Sequence, residues 1–365
     1  MASFQITRPT LLLDERICRQ NIEVMCNKAR KHNLILRPHF KTHQSLEVGS
    51  WFKRHGVDRI TVSSLSMAEY FAAQWQDITV AFPANILEID TINRLAAKIR
   101  LNILVESVAT IRALKSGLQH QVGFFIEIDV GAHRTGLDIH DTTTIDSILT
   151  ECTDSDNLEF CGFLSHAGHT YKHNNKPDVL AVHESSLKML STLKQRYVDH
   201  YPEIVVSTGD TPGSSLAEDF SGTDEIRPGN FVFFDVMQLL IGSCSVEQIA
   251  VAMACPIISV HPERNEIIIY GGGVHFSNEA IHSGESGKCF GNIVVPRENG
   301  WGDIVPDMYL KGLYQEHGIV SVPSDRIPEY KVGDILLVLP IHSCMTADVF
   351  DHYVSTADGR QIARL

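Results

Sequence analysis

Leu34-Ile35-Leu36-Arg37-Pro38-His39-Phe40-Lys41-Thr42-His43 is the stretch on which the reading of this chain turns. Its first three residues are apolar and read as a short buried strand. Side chains alternate along a strand, so a continued strand would put Arg37, His39, Lys41 and His43 on one face. Pro38 cannot donate to a central ladder, which places a strand end here. Positive neighbours disfavour an ammonium ion, so Lys41 is expected to lose its proton easily. A neutral lysine amine is a nucleophile whose natural partner is a carbonyl, through a Schiff base. Taken alone, the cluster is better read as a basic strand edge in water. The rest of the chain moves the balance.

Upstream, Thr10 to Leu13 is a short apolar run, and Asp14 can cap a helix carrying Cys18, Ile22, Met25 and Ala29 at helical spacing. Downstream, strand-like runs recur at Asp58–Ser63, Ile78–Phe82, Leu101–Val105, Phe124–Val130, Phe160–Leu164, Ile204–Val206 and Glu225–Arg227. Between them lie helical patterns. Ser66 and Glu69 fit a capping box, and Ile89–Ile99, Thr110–Leu118, Thr144–Glu151 and Pro177–Tyr197 read as helices. Eight strands alternating with helices predict an α/β fold, a parallel (β/α)8 TIM barrel. A doubly wound open sheet is the alternative. The barrel is favoured because chemically rich residues fall just after strands, where barrel enzymes build their sites. These are Lys41, Ser63-Ser64, His133-Arg134, His166 to Tyr171, Thr208-Gly209 and Arg227-Pro228-Gly229.

Beyond about Met237 the texture changes. Ile249–Val260, Glu266–Tyr270, Gly318–Val322 and Ile335–Leu339 are β-type runs separated by Gly, Pro and Asn, with no clear helices between them. They predict a second, all-β domain. The expected domains are a barrel over 14–240 and a β domain over 241–365 joined by 1–13.

Charge and cysteine usage narrow the function. The formal net charge of −13 makes nucleic acid and anionic membrane surfaces poor partners. An anionic ligand would need a local positive pocket, and the stretch around Lys41 is one. The eight cysteines form no CxxC pair and are irregularly spaced. Ala2 to Arg8 is short and polar, unlike a secretory signal. Reduced thiols in a cytoplasm are expected. No apolar run approaches the ~20 residues of a membrane span.

Several groups have chemical potential. His342-Ser343-Cys344 follows a strand ending at Pro340. Residues two apart can face one side and bind one metal, and imidazole with thiolate favours zinc over magnesium or calcium. An isolated HxC is more often a buried Cys beside a surface His. Ser207-Thr208-Gly209-Asp210-Thr211-Pro212-Gly213-Ser214 offers backbone N–H groups that can hold a phosphate, or simply makes a tight turn. Gly271-Gly272-Gly273 is read equally as a positive-φ turn or a ligand contact. His166, His169 and Tyr171 form a polar, aromatic loop after a strand.

Together these residues resemble the fold-type III pyridoxal-phosphate enzymes of the D-threonine aldolase and D-serine dehydratase group, relatives of alanine racemase. The resemblance covers nearly the whole chain. Arg37 to His43 is similar to the cofactor-lysine motif. Gly168-His169-Thr170-Tyr171 resembles the loop whose tyrosine meets the pyridine ring. Ser207 to Pro212 resembles the phosphate loop, and Glu225-Ile226-Arg227-Pro228-Gly229-Asn230 the segment near the same phosphate. Gln315-Glu316-His317-Gly318 resembles a C-terminal motif. His342-x-Cys344 is similar to the metal pair of D-serine dehydratases, where D-threonine aldolases carry His-x-Asp. Tyr270-Gly271-Gly272-Gly273-Val274-His275 departs from the family pattern, which begins with Asp and carries Lys-Ala. That departure bears on the substrate rather than the cofactor.

The resemblance implies cofactor contacts from Lys41, Arg134, His169, Tyr171, Thr208, Gly209, Thr211, Arg227, Gly229, Gly272 and Gly273. It implies a metal, zinc first, on His342 and Cys344. Lys41 would hold pyridoxal phosphate as a Schiff base and then act as the base on Cα, and in the alternative aldol cleavage His39 or His43 would be the base for the hydroxyl proton. The metal would assist loss of a β-hydroxyl. The implied activity is dehydration and deamination of a D-3-hydroxy amino acid such as D-serine to a 2-keto acid and ammonia. The alternatives are aldol cleavage to glycine and an aldehyde, racemisation, or non-catalytic carriage of the cofactor. The resemblance also implies a homodimer.

Overall fold

A computed structural model describes residues 5–283, 287–298 and 300–365. Residues 1–4, the start of the segment expected to join the β domain, lie outside the described residues. The chain divides into two compact units. The barrel unit takes residues 24–41 and 52–229, and the β unit takes 1–23, 42–51 and 230–365. This division differs from the expected 14–240 and 241–365. Local bonds account for the shift: Asp14 N donates to Ala250 O at 2.9 Å, Tyr353 Oη donates to His43 O at 2.7 Å, and Asn230 Nδ2 donates to Asp235 Oδ2 at 2.7 Å.

In the barrel unit the main path of the sheet has eight parallel strands, with the two-residue strand Leu137–Asp138 paired off that path: Ile35–Leu36 (β1), Ile60–Val62 (β2), Asp77–Pro83 (β3), Arg100–Val105 (β4), Val122–Asp129 (β5), Leu158–Leu164 (β6), Val205–Thr208 (β7) and Glu225–Ile226 (β8). Their order is β1-β8-β7-β6-β5-β4-β3-β2. A parallel bridge between His39 and Thr61 links the two ends of that order. The predicted barrel therefore forms with its eight strands in sequence. Strands covered on both faces need apolar residues throughout, and Phe124, Phe125, Ile126 and Ile128 of β5 are all buried. Gly162 in β6 sits at φ +147°, and a Cβ there would lie 1.9 Å from Val205 O. Only glycine fits that approach.

The barrel interior is partly polar. Arg37 Nε donates to Glu225 Oε2 at 2.7 Å and its Nη1 to Asp77 Oδ1 at 2.6 Å. Ser207 Oγ donates to Glu225 Oε1 at 2.6 Å, and Asn102 Nδ2 to Asp77 Oδ1 at 3.2 Å. Arg37 is thus a buried structural cation rather than a member of a basic functional face.

The helix after β2, Leu65–Phe71, starts two residues earlier than its sequence suggests. Ser64, not Ser66, is the cap: its backbone is extended and its Oγ accepts from Met67 N at 3.2 Å. Glu69 instead pairs with Arg94 at 2.8 Å. Ser64→Ala should cost about 1 kcal/mol in a denaturation midpoint, and Ser66→Ala only a few tenths. Equal losses would return the cap to Ser66.

In the β unit, nine strands form one sheet among the described residues. Its order is Glu266–Tyr270, His317–Ser321, Gly300–Leu313, Gly291–Arg297, Ile335–Pro340, Val251–His261, Thr10–Leu13, His352–Ser355 and Gln361–Ala363. Pairing is antiparallel except between Thr10–Leu13 and His352–Ser355. Val251–His261 also pairs with Glu266–Tyr270, which closes six of the strands on themselves. The N-terminal strand Thr10–Leu13 is part of this sheet.

Candidate active site

Within the barrel unit, the residues singled out lie at the C-terminal ends of strands. β1 ends at Leu36, and residues 40–43 form a turn, so the predicted alternation of Arg37, His39, Lys41 and His43 along one strand does not occur. Lys41 is exposed beyond the end of β1. His39 N donates to Pro228 O at 2.9 Å, which joins this segment to the one after β8. His39 Nδ1 accepts from Lys41 N at 3.3 Å, so in the neutral ring the proton sits on Nε2. Burial, then the charges of Lys41 and Arg227, hold the His39 pKa well below the usual histidine range. His43 belongs to the β unit. Its Nδ1 accepts from Ser45 N at 3.1 Å, and burial pulls its pKa down to about 3. It is a buried ring that holds its own loop.

The loop after β7 is built around glycine. A Cβ on Gly209 would lie 2.9 Å from Arg227 Cβ and 3.1 Å from that residue's backbone. Thr208 O accepts from Arg227 N at 2.8 Å. Asp210 caps the short helix Thr211–Leu216, with Oδ1 accepting from Gly213 N at 2.6 Å and from Thr170 Oγ1 at 3.0 Å. Tyr171 Oη accepts from Thr211 N at 3.4 Å, which brings the two loops together. His166 Nδ1 bonds Gly209 O, and burial takes the His166 pKa down to about 3.

Arg227 is buried. Its Nε donates to Ser207 Oγ at 2.7 Å and its Nη2 to Ser165 O. Burial lowers its pKa to about 10, which leaves it a cation at neutral pH. Arg134, in the loop after β5, is exposed. His169 lies against Gly131, and burial lowers its pKa.

This arrangement fits a phosphate. Gly209 and Gly229 are buried, and among the described residues their N–H groups have no partner. Thr211 Oγ1 is buried without a partner among the described residues too. Paired loops offering spare donors beside a buried cation suit an anion. Glu127 on β5 was not anticipated. Thr135 Oγ1 donates to its Oε1 at 2.9 Å, and burial raises its pKa. Its only sequence signal is a charged residue inside an apolar strand.

The β unit holds the other group. His342 precedes the short helix Ser343–Ala347, which carries Cys344. Thr42 Oγ1 lies 3.2 Å from Cys344 Sγ, and Asn230 Nδ2 donates to the same sulfur at 3.4 Å. His342 Nδ1 lies 2.8 Å from Glu279 Oε2. Burial opposes a charge on His342, but hydrogen bonds to Cys344 and Glu279 outweigh it and push its pKa up to about 11. Imidazole and thiol flank the start of one short helix, and binding a metal there would require both to give up their protons. The donor set, one nitrogen and one sulfur, suits zinc. Among the described residues no group of three or more His, Cys, Asp or Glu is gathered around a metal position.

Gly272 and Gly273 also lie in the β unit. Neither is at positive φ, which corrects the turn expected there. A Cβ on Gly272 would lie 2.3 Å from Tyr314 O, so close backbone packing explains the glycine. Gly272 N donates to His275 Nδ1 at 3.2 Å and Gly273 N to Tyr314 O at 2.6 Å, so both N–H groups are already used. His275 thereby braces the glycine segment, and its ring meets Tyr270 edge-on at 5.6 Å.

Comparison with known proteins agrees with this architecture. The chain is 28% identical to the D-serine dehydratase of Dictyostelium discoideum, over 98% of this chain and 95% of that one. It is 29% identical to the D-threo-3-hydroxyaspartate dehydratase of Delftia sp. (strain HT23), over 96% and 94%. The solved structure of a cysteine-to-alanine mutant of D-threo-3-hydroxyaspartate dehydratase, in the metal-free form, matches with a TM-score of 0.92 at 27% identity, covering 100% of this chain and 99% of that one. Residues 250–356 match the family model "Putative serine dehydratase domain". Residues 13–236, which span the whole barrel unit, match "Alanine racemase, N-terminal domain", and the chain belongs to that family.

Proposed function

We propose that this chain is a pyridoxal-phosphate- and metal-dependent dehydratase that converts a D-3-hydroxy amino acid, D-serine first, to a 2-keto acid and ammonia. The observation that carries the reading is the His342–Cys344 pair at the start of one short helix, with the imidazole held by Glu279 and the sulfur by Thr42 and Asn230. Both relatives named above are dehydratases. When bound, the cofactor supplies an electron sink and the metal a Lewis acid for a departing hydroxyl.

The chain's own residues do the rest. Lys41 would hold the cofactor through Nζ, and the same nitrogen would serve as the base for the Cα proton. Gly209, Gly229 and Thr211 hold the phosphate, and the Arg227 cation lies beside that loop. Tyr171 would contact the cofactor ring, and His39 would offer it an N–H from Nε2. His342 and Cys344 hold the metal, zinc in this reading. Among the described residues no helix is long and apolar enough to cross a membrane, and the proposed form is a cytoplasmic homodimer.

Product analysis with D-serine and D-threonine, with and without a chelator, tests the reading. The expected result is keto acid plus ammonia, lost on chelation and restored by zinc. Glycine plus an aldehyde would make the chain an aldolase. Dehydration that survives full removal of the metal would take His342 and Cys344 out of the reaction.

A further inference from the structure

We propose that Glu279 is a positioning residue that turns His342 so that Nε2 is the nitrogen offered to a metal. The proposal rests on the reading of His342 and Cys344 as a metal pair. The two ends of that pair are held differently. Cys344 sits in a helix, and its sulfur is fixed from two sides by Thr42 Oγ1 at 3.2 Å and Asn230 Nδ2 at 3.4 Å. Asn230 is itself held by further hydrogen bonds. Its amide nitrogen donates to buried Asp235 Oδ2 at 2.7 Å and to Ser343 Oγ at 3.0 Å. Asp235 also accepts from Ser343 N at 2.9 Å and Gln238 N at 2.9 Å, so the sulfur's support is tied into two helix starts.

The imidazole has no such frame. Among the described residues the side chain whose hydrogen bond to the ring is seen in the geometry is Glu279, at 2.8 Å from Nδ1. That leaves Glu279 as the anchor of the ring when Nε2 is turned to a metal. At 2.8 Å from Nδ1, its carboxylate selects the tautomer with the proton on Nδ1 and the lone pair on Nε2. It also makes the ring a better donor, as carboxylates behind metal-bound histidines do. Glu279 is half exposed, so its contribution to folding is small. Its effect should fall on metal affinity.

The test measures zinc affinity by competition with a chromophoric chelator in wild type, Glu279→Ala, Glu279→Gln and Cys344→Ala. Glu279→Ala should bind zinc about 10- to 100-fold more weakly than wild type. Glu279→Gln, whose amide oxygen can still accept from Nδ1–H, should recover most of the loss. Unchanged visible absorbance of the cofactor-loaded variants would show that they fold. Affinity in Glu279→Ala within about twofold of wild type would overturn the positioning role. Loss in both Glu279 variants as complete as in Cys344→Ala would overturn it too, since Glu279 would then be a direct ligand. A wild type that holds no zinc, or a Cys344→Ala variant that holds it normally, would sink the metal reading itself and is separately visible.

Discussion

Lys41→Ala should abolish the visible absorbance of bound pyridoxal phosphate and lower turnover by at least about 10²- to 10⁴-fold, the share a positioned acid–base group supplies. The loss should exceed that of any other single change at the barrel end, because one nitrogen is assigned two tasks: holding the cofactor and moving the Cα proton. Its neighbours make those tasks separable from folding. Lys41 is exposed, so truncation leaves no buried gap. The phosphate donors at Gly209, Gly229 and Thr211 are on other loops and should still retain the cofactor non-covalently. The informative variant is therefore one that binds cofactor, shows the absorbance of the free aldehyde and turns nothing over. Borohydride reduction of the wild type followed by peptide mapping gives an independent check, since the labelled peptide should contain Lys41. A visible band that survives in Lys41→Ala, or a label on another lysine, would remove Lys41 from the role.

How much of this was legible in the sequence depended on the range of the interaction. The barrel was readable because each of its strands is a local apolar run, and a parallel strand buried on both faces shows itself as composition. The position of Lys41 was readable because Pro38 announces a strand end. What the residues after it would do was not. His43 continues the same alternation on paper, yet the chain turns over 40–43, and its carbonyl is taken by Tyr353 and Arg364 from the far end of the sequence. Gly272 was ambiguous for a similar reason: a glycine that admits a neighbouring backbone and a glycine that admits a ligand look alike until the neighbour, here 314–316, is placed. Glu279 and Asn230 carried no spacing signal at all, being 63 and 114 residues from the side chains they support. The HxC pair was visible because its two members are close in sequence, and its supports were hidden because they are not.

Arg37 is the sharpest case, since it lies in the very motif that identifies the lysine and does something else. Arg37→Ala should destabilise the protein by about 3–5 kcal/mol, the usual result of leaving half of a buried ion pair unpaired. Glu225 is 2% exposed and would keep only Ser207 as a donor. Burial alone would lower the Arg37 pKa, but the charges of Glu225 and Asp77 raise it, so the guanidinium is held charged and cannot relieve the loss by neutralising. The pair also has a reach that a simple core contact lacks. Hydrogen bonds run without a break from Asn102 to Asp77, Arg37, Glu225, Ser207 and Arg227. Arg227 packs against Gly209 in the proposed phosphate loop, so a change at one end of this line should be felt at the other. Three variants separate the contributions. Arg37→Lys keeps a charge but loses the fork that reaches both carboxylates, and should fall between wild type and alanine. Arg37→Met with Glu225→Gln removes both charges, and should recover part of the loss if the cost is an uncompensated carboxylate. Chemical denaturation followed by a barrel-unit probe measures each, with cofactor affinity measured alongside. A loss below about 1 kcal/mol for Arg37→Ala would mean that the pair behaves like a surface salt bridge. Full loss of stability with unchanged cofactor affinity would mean that the line of bonds ends, functionally, at Glu225.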